Sequence, residues 1–184
     1  MKNTLTIIFF LLLFQFSFGQ EYTGDQLSAT FTSEAKLSSF DGNSTDLKGL
    51  FDLKQNLIDF YLDLNTIETG IKLRDKHMRN DYLETKQYPY AEFSASFSES
   101  DLKKVQSRES GEYILNGSFS VHGVEKEKEV SIKIEFKNQG QEIYFSTAFS
   151  ILLTEHNIKI PKVMFYELSN NINIKTHGLL YLQN

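Results

Sequence analysis

The sequence predicts an all-β protein, an antiparallel barrel of roughly eight strands with one short helix. Apolar and polar residues alternate along most of the chain, a period typical of strands that bury one face. Short turn-forming segments separate the alternating runs, which favours an up-and-down antiparallel order. A sheet with one apolar face must cover that face, by closing into a barrel or by folding into a sandwich. We take the barrel as the predicted architecture.

Three strands are predicted before the central segment of the chain. Residues 20–27 are polar and are expected to be a loose lead-in, with the first strand starting at Ser28. The letters DGNS at 41–44 predict a turn, and 47–53 predict a short second strand. The third strand is the clearest, because four apolar side chains share one face: Ile58, Phe60, Leu62 and Leu64.

Five more alternating segments follow, over residues 91–98, 113–122, 130–137, 143–151 and 172–182. Residues 71–82 lack this alternation and contain strong helix formers, which predicts the one short helix. Residues 99–110 are charged and serine-rich, which predicts a long exposed loop. Residues 161–169 fit either a helical turn that starts at proline or an irregular strand.

The first 19 residues have the pattern of a secretory signal peptide. Lys2 gives a positive end, residues 5–14 are apolar except for one threonine, and small residues precede a cleavage site after Gly19. The apolar stretch is shorter than the roughly 20 residues of a membrane anchor. We therefore expect a mature domain over 20–184 that is periplasmic or secreted.

Composition excludes several classes of function. The chain has no cysteine, so it has neither disulfides nor thiol chemistry. Without Lys2, 18 basic and 24 acidic side chains leave a net charge of −6 on the expected mature domain. This charge argues against nucleic acid as a partner and against electrostatic binding to anionic lipid. The sequence is compatible with a homodimer.

The interior of an eight-stranded barrel is either filled by side chains or holds one small ligand. The predicted inner face is rich in Phe, Ile and Leu but also contains four small residues: Ala91, Ala95, Gly117 and Gly178. Such residues leave room for a ligand or accommodate the large phenylalanines opposite them. The alternation pattern does not distinguish these two outcomes.

Residues 64–93 combine charge, histidine and proline, and they resemble a known family. The matching elements are Ile67, Thr69-Gly70, Arg74-Asp75, His77-Met78, Tyr88-Pro89 and Phe93. A second block, NGSFSVHGVEK at 116–126, also matches, whereas AFSI at 148–151 keeps only the Phe and Ile of a third. Together these blocks are similar to the YceI-like family of polyisoprenoid-binding, lipocalin-like proteins.

This resemblance implies an extended lipocalin-like barrel of eight antiparallel strands with a helix across it. It also implies an elongated apolar lumen for an isoprenoid chain, often a quinone-type or polyprenyl lipid, and export to the periplasm. No other cofactor and no metal are expected. The departures in the third block affect the far end of the barrel, and with it the identity and length of the ligand.

The cluster Arg74-Asp75-x-His77 admits three interpretations. Catalysis would need a nucleophile or a metal, and the sequence carries neither a G-x-S-x-G nor an H-E-x-x-H motif. A structural role would have Arg74 and Asp75 hold the helix against strand ends, with His77 as a partly buried, satisfied histidine. A third role would be contact with the polar head of a ligand at the barrel mouth.

We therefore predict an exported, non-catalytic protein that binds an apolar small molecule or lipid in its lumen. The alternative is an exported interaction or stress-response module with a filled core and no ligand. The predicted ligand-binding residues lie on inner strand faces and on the helix: Phe60, Leu62, His77, Met78, Phe93, Phe97, Phe119, Val121, Ile132, Ile134, Phe145 and Phe149. For each of them the alternative is a plain core position.

Overall fold

The computed structural model describes residues 20–35, 38–163, 166–167 and 169–183, so the expected signal peptide lies outside the described residues. Eight strands form one closed antiparallel barrel, which confirms the predicted fold class. The barrel strands are β1 Glu21–Ala35, β2 Ser38–Asp52, β3 Leu57–Asp63, β4 Tyr90–Phe97, β5 Gly111–Val121, β6 Val124–Lys137, β7 Glu142–Leu152 and β10 Asn171–Leu182. Strands consecutive in the chain are neighbours, β10 follows β7, and the barrel closes between β10 and β1.

In the described part of the chain, two short helices accompany the barrel instead of the single one predicted. The first, α1 Lys72–His77, continues as a π-helix over Met78–Tyr82 and confirms the helix expected at 71–82. The second, α2 Glu99–Gln106, replaces the expected exposed loop. The described residues also include 3-10 turns at Leu64–Thr66, Asn138–Gly140 and Leu153–His156.

Helix α2 is stabilised by an N-cap, by acidic residues in its first turn and by one buried side chain. The Ser98 hydroxyl accepts a hydrogen bond from the backbone N–H of Asp101 at 3.2 Å, as an N-cap does. Glu99 and Asp101 in the first turn complement the helix dipole. Val105 is fully buried. A short helix in which half of the residues are charged carries little apolar periodicity, which is why the sequence suggested a loop.

The first hairpin is longer than predicted. Residues 20–27 are not a loose lead-in, because β1 begins at Glu21 and both Tyr22 and Leu27 are buried. The expected turn at 41–44 is also wrong, since Gly42 lies within β2 opposite Phe31. Register shifts around Leu27 break the two-residue alternation there and hide the strand from pattern analysis.

The segment before β10 follows the irregular-strand alternative. It contains the two-residue strands β8 Lys162–Val163 and β9 Tyr166–Glu167, which pair with each other outside the barrel. Residues 164, 165 and 168 lie outside the described part of the chain.

The two ends of the barrel differ in how completely neighbouring strands pair. We call the end that carries α2 the closed end, and the end that carries α1 the open end. The β6–β7 ladder runs from Lys137 at the closed end only as far as the pair Ile132–Thr147. The β2–β3 ladder likewise stops at the pair Lys48–Tyr61. Beyond these two pairs, toward the open end, neither ladder continues.

Candidate functional site

An apolar cavity of about 720 Å³ occupies the open half of the barrel. Its size lies within the range of roughly 300–1,000 Å³ typical of small-molecule sites. Its wall consists mainly of inner-face side chains of the strands, including Ala29, Phe31, Leu47, Phe60, Leu62, Ala91, Phe93, Phe119, Val121, Phe149, Ile151, Ile172 and Ile174. Such a wall offers an apolar ligand dispersion contacts but few hydrogen bonds.

The structure brings eight of the twelve predicted binding residues to this cavity: Phe60, Leu62, His77, Met78, Phe93, Phe119, Val121 and Phe149. The other four, Phe97, Ile132, Ile134 and Phe145, face inward but are buried in the closed half, away from the cavity wall. Strand alternation tells which face a residue occupies but not its height along the barrel axis. The sequence therefore could not separate the two sets.

An aromatic cluster fills the closed half and forms the floor of the cavity. The Phe51 ring lies 5.8 Å from Phe60, 6.4 Å from Phe97 and 6.1 Å from Phe145, between ring centroids. Phe60 and Phe145 are closer still, at 4.8 Å. Because Phe60 belongs to both the cluster and the cavity wall, it marks the boundary between the filled and hollow halves.

Small inner-face residues line the cavity at one position and allow close packing with Ala95 and Leu27, rather than with phenylalanines, at others. Ala91 lines the cavity and leaves room there. Gly117 and Ala95 instead face each other in close packing, because a Cβ on Gly117 would lie 2.5 Å from that of Ala95. Gly178 likewise accommodates Leu27, whose Cδ2 would be 2.6 Å from an added Cβ.

Several cavity residues were not among the predicted ones. Phe31 and Ile172 lie on strands whose alternation is visible in the sequence, so their inward position could have been predicted from it. Tyr82, Leu83 and Ile158 come from the segments that cross the open end. Their spacing follows no strand or helix period, so only the tertiary structure identifies them.

The Arg74-Asp75 pair of the family motif holds α1 to the segment that precedes it. The Asp75 carboxylate accepts hydrogen bonds from the Thr69 amide at 2.9 Å and from the Thr69 hydroxyl at 2.5 Å. The Arg74 guanidinium donates to the Thr69 hydroxyl and carbonyl and lies 4.3 Å from the centre of the Phe40 ring. Arg74 also borders the cavity, so it is positioned at the mouth.

Burial alone would raise the pKa of the Asp75 carboxyl. The hydrogen bonds from Thr69 and the nearby Arg79 and Arg74 charges outweigh that effect and hold the pKa below its usual value. Asp75 therefore stays ionised at neutral pH and acts as a fixed acceptor, which agrees with the structural interpretation of the motif.

His77 differs from the partly buried histidine of the structural interpretation. Its side chain is 56% exposed, and its Nδ1 lies 2.5 Å from Asp81 Oδ2, one helical turn later. It also borders the cavity. Among the described residues, no group of three or more His, Asp or Glu is arranged to hold a metal ion.

His122 links three elements of the open end. It occupies the β5–β6 turn with a positive φ of 53°, next to Gly123 at 70°. Its Nδ1 lies 3.2 Å from the His156 carbonyl oxygen and its Nε2 lies 3.0 Å from Glu84 Oε2. Both partners are acceptors, so the two contacts are both hydrogen bonds when the imidazole is doubly protonated. His122 therefore occupies the turn and also ties it to neighbouring segments.

Solved structures share this fold. A polyisoprenoid binding domain from Saccharophagus degradans, implicated in plant cell wall breakdown, matches with a TM-score of 0.73 and 14% identity, covering 90% of this chain and 99% of that chain. Burkholderia cenocepacia BcnA matches with a TM-score of 0.63 and 14% identity over 84% and 95%. The Campylobacter jejuni YCEI protein matches with a TM-score of 0.58 and 19% identity over 79% and 88%. At these identities the likeness establishes the fold.

No curated protein sequence matches this chain. None of the helices in the described part of the chain is long and apolar enough to cross a membrane.

The model of the YceI-like domain matches residues 18–178, which is most of the chain. The two sequence blocks at 64–93 and 116–126 had indicated the same family. The chain belongs to the YceI-like domain family.

Proposed function

We propose that this protein is an exported, non-catalytic lipid-binding protein that holds an isoprenoid chain or a similar amphiphile in the apolar cavity. The observation that carries the proposal is the cavity itself, hollow at one end of a barrel whose other end is filled. Family membership and the resemblance in fold to a polyisoprenoid binding domain support the same ligand class.

The cavity supplies enough driving force for such a ligand. Burial of one five-carbon isoprene unit stabilises a complex by roughly 3–4 kcal/mol, at about 0.8 kcal/mol per methylene-sized group. Ordering the chain and losing its translational freedom offset part of this gain. A preformed cavity binds several units by apolar contact alone, so no single polar residue has to carry the affinity.

The orientation of the ligand follows from where polar groups lie. The floor at Phe60 is aromatic and closed, whereas Arg74 and His77 stand at the mouth. We therefore place the hydrocarbon tail against Phe60 and the polar head, of a quinone-type or polyprenyl lipid, near Arg74 and His77. This combines the structural and the ligand-contact interpretations of the family motif.

Export is part of the proposal on sequence grounds. Residues 1–19 have the pattern of a signal peptide cleaved after Gly19, which would deliver the domain to the periplasm or outside the cell. The net charge of the expected mature domain makes nucleic acid an unsuitable partner. The alternative, a ligand-free interaction module with a filled core, is less well supported because the open half is hollow.

The test is organic extraction of the purified native protein followed by mass spectrometry. We expect a lipid with an isoprenoid tail at near-stoichiometric amount, and binding of an added polyprenol or isoprenoid quinone by protein emptied of it. A protein that carries no lipid and binds neither probe would contradict the proposal.

Conservative variants show whether the cavity wall selects the ligand. Phe93→Leu and Phe119→Leu are expected to leave the melting temperature near that of the wild type while changing the preference between polyprenol and quinone. The matched control is Phe97→Leu in the closed half, which should leave that preference unchanged. If Phe93→Leu and Phe119→Leu do not alter preference, those positions are core only.

A further inference from the structure

The rim of the open end exposes large apolar side chains. Ile71 is 54% exposed and Leu73 is 63% exposed, yet both also border the cavity. Ile71 and Leu73 are separated by one residue at the start of α1, and Gly70, which precedes them, has a positive φ of 79°. Neighbouring exposed apolar groups beside an apolar cavity are typical of a surface that meets another apolar phase.

Basic side chains surround these two residues. Segment 71–79 contains four basic residues and one acidic residue, a local net charge of +3 in a chain whose net charge is −5. Lys72 and Lys76 are exposed, whereas the one acid, Asp75, is buried and bonded to Thr69. The exposed charge of this segment is therefore positive, in contrast to the rest of the chain.

Two acidic side chains that follow α1 contact histidines. Asp81 contacts His77, and Glu84 contacts His122. Neither Lys72 nor Lys76 forms an ion pair with a carboxylate of the described residues. Their charges are thus available to an external anionic surface.

We propose that Ile71, Lys72, Leu73 and Lys76, which we call the rim face, dock the open end of the barrel onto an anionic lipid bilayer. Apolar side chains enter the headgroup region while lysines meet the negative lipid charge. The net negative charge of the chain argues against such binding overall, but that charge lies outside segment 71–79. The acidic remainder is repelled by the same surface, so docking orients the mouth toward the bilayer. This inference rests on the proposed function, because a docked mouth lets an isoprenoid chain pass without crossing water.

The test measures partition of the full chain onto vesicles of phosphatidylcholine, with and without phosphatidylglycerol, by co-sedimentation. Binding is expected to be weak and reversible, stronger on the anionic vesicles, and weaker as salt rises. The double variant Lys72→Gln with Lys76→Gln is expected to lower the partition coefficient on anionic vesicles about 25-fold, at about fivefold per lysine. Ile71→Ser with Leu73→Ser is expected to lower binding to both kinds of vesicle.

Helix α2 provides a matched control at the closed end. Lys103→Gln with Lys104→Gln makes the same charge change there, and Ile114→Ser removes another exposed apolar side chain, on β5. Both are expected to leave partition unchanged. All variants share the apolar segment 5–14, so any vesicle affinity of that segment contributes equally to each of them.

The outcomes separate docking from ligand binding. Docking would be overturned if the wild type and the Lys72→Gln, Lys76→Gln variant partitioned equally, or if the α2 control lost as much binding as that variant. It would also be overturned if the rim face bound a protein partner but no vesicle. Lys72 and Lys76 do not line the cavity, so this variant should keep its bound lipid. If the wild-type chain carries lipid but does not bind vesicles, only the docking proposal is wrong. If it binds vesicles but carries no lipid, the proposed carrier function is wrong.

Discussion

The closed and open ends of the barrel use the same eight strands, yet one is filled and the other holds a cavity. At the closed end, the β5–β6 and β6–β7 ladders continue to Gly111 and Lys137, and the rings of Phe51, Phe97 and Phe145 pack together. At the open end, the β6–β7 and β2–β3 ladders have stopped, and smaller inner residues such as Ala29 and Ala91 face the lumen. Strand separation and side-chain volume, rather than alternation, decide where space is left.

The comparison is tested most strongly by two phenylalanines of β7. Phe145→Ala in the closed half is expected to cost about 3–5 kcal/mol of unfolding free energy, because Phe145 is fully buried in the aromatic cluster. Phe149→Ala, on the same face of the same strand but half-buried beside the cavity, should cost about 1 kcal/mol and weaken ligand binding instead. Urea unfolding of both variants measures the difference; equal costs would mean that the two ends are equally well packed.

Substitutions of two alanines of β4 compare the two ends of the barrel by adding side-chain volume instead of removing it. Ala95→Leu is expected to destabilise the protein by about 1–3 kcal/mol, because Ala95 packs against Gly117 with no space to spare. Ala91→Leu points into the cavity and should leave stability nearly unchanged while reducing the amount of bound isoprenoid lipid. Thermal unfolding and quantitative extraction check the pair, and an unchanged lipid content in Ala91→Leu would show that the ligand does not reach that height.

The smallest expected effect concerns the attachment of α1 at the open end. Asp75→Asn keeps an acceptor for Thr69 but loses the charge, at a cost of about 1 kcal/mol at pH 7. Folding lowers the pKa of the Asp75 carboxyl. The ionised carboxylate therefore stabilises the folded protein above the unfolded-state pKa of about 4, and this stabilisation is lost as pH falls through the lower folded-state pKa. The difference between wild type and variant should therefore shrink below about pH 4 in urea titrations.

Asp101 on α2 is the control for this pH dependence. The Lys104 hydrogen bond lowers the pKa of the Asp101 carboxyl as well, but the pair is solvent-exposed and screened. Asp101→Asn should therefore change stability less than Asp75→Asn does, and its effect should fade with added salt. A larger effect at Asp101 would contradict the assignment of Asp75 as the fixed acceptor that anchors α1.

Much of the fold could be predicted from the sequence, as the strand around Phe60 illustrates. Its inner residues Ile58, Phe60, Leu62 and Leu64 are all buried, as the alternation indicated. Helix α2 was missed because half of its residues are charged and few are apolar, and the register shifts near Leu27 concealed the start of β1. The start of β1 arises where tertiary packing, not local pattern, selects the structure, whereas α2 had a local signal in Ser98 and the acids of its first turn.

By itself, the sequence determined the family and the inward face of most strands, because these depend on short motifs and on a local period of two; the resemblance to the family implied the barrel. The tertiary structure alone decided that Phe145 is core while Phe149 borders a cavity, and that Ile71 and Leu73 are exposed at its rim. Residues four apart on one strand face have the same local signal. Their environments differ because strand separation and the helix at the open end depend on contacts between segments distant in the chain.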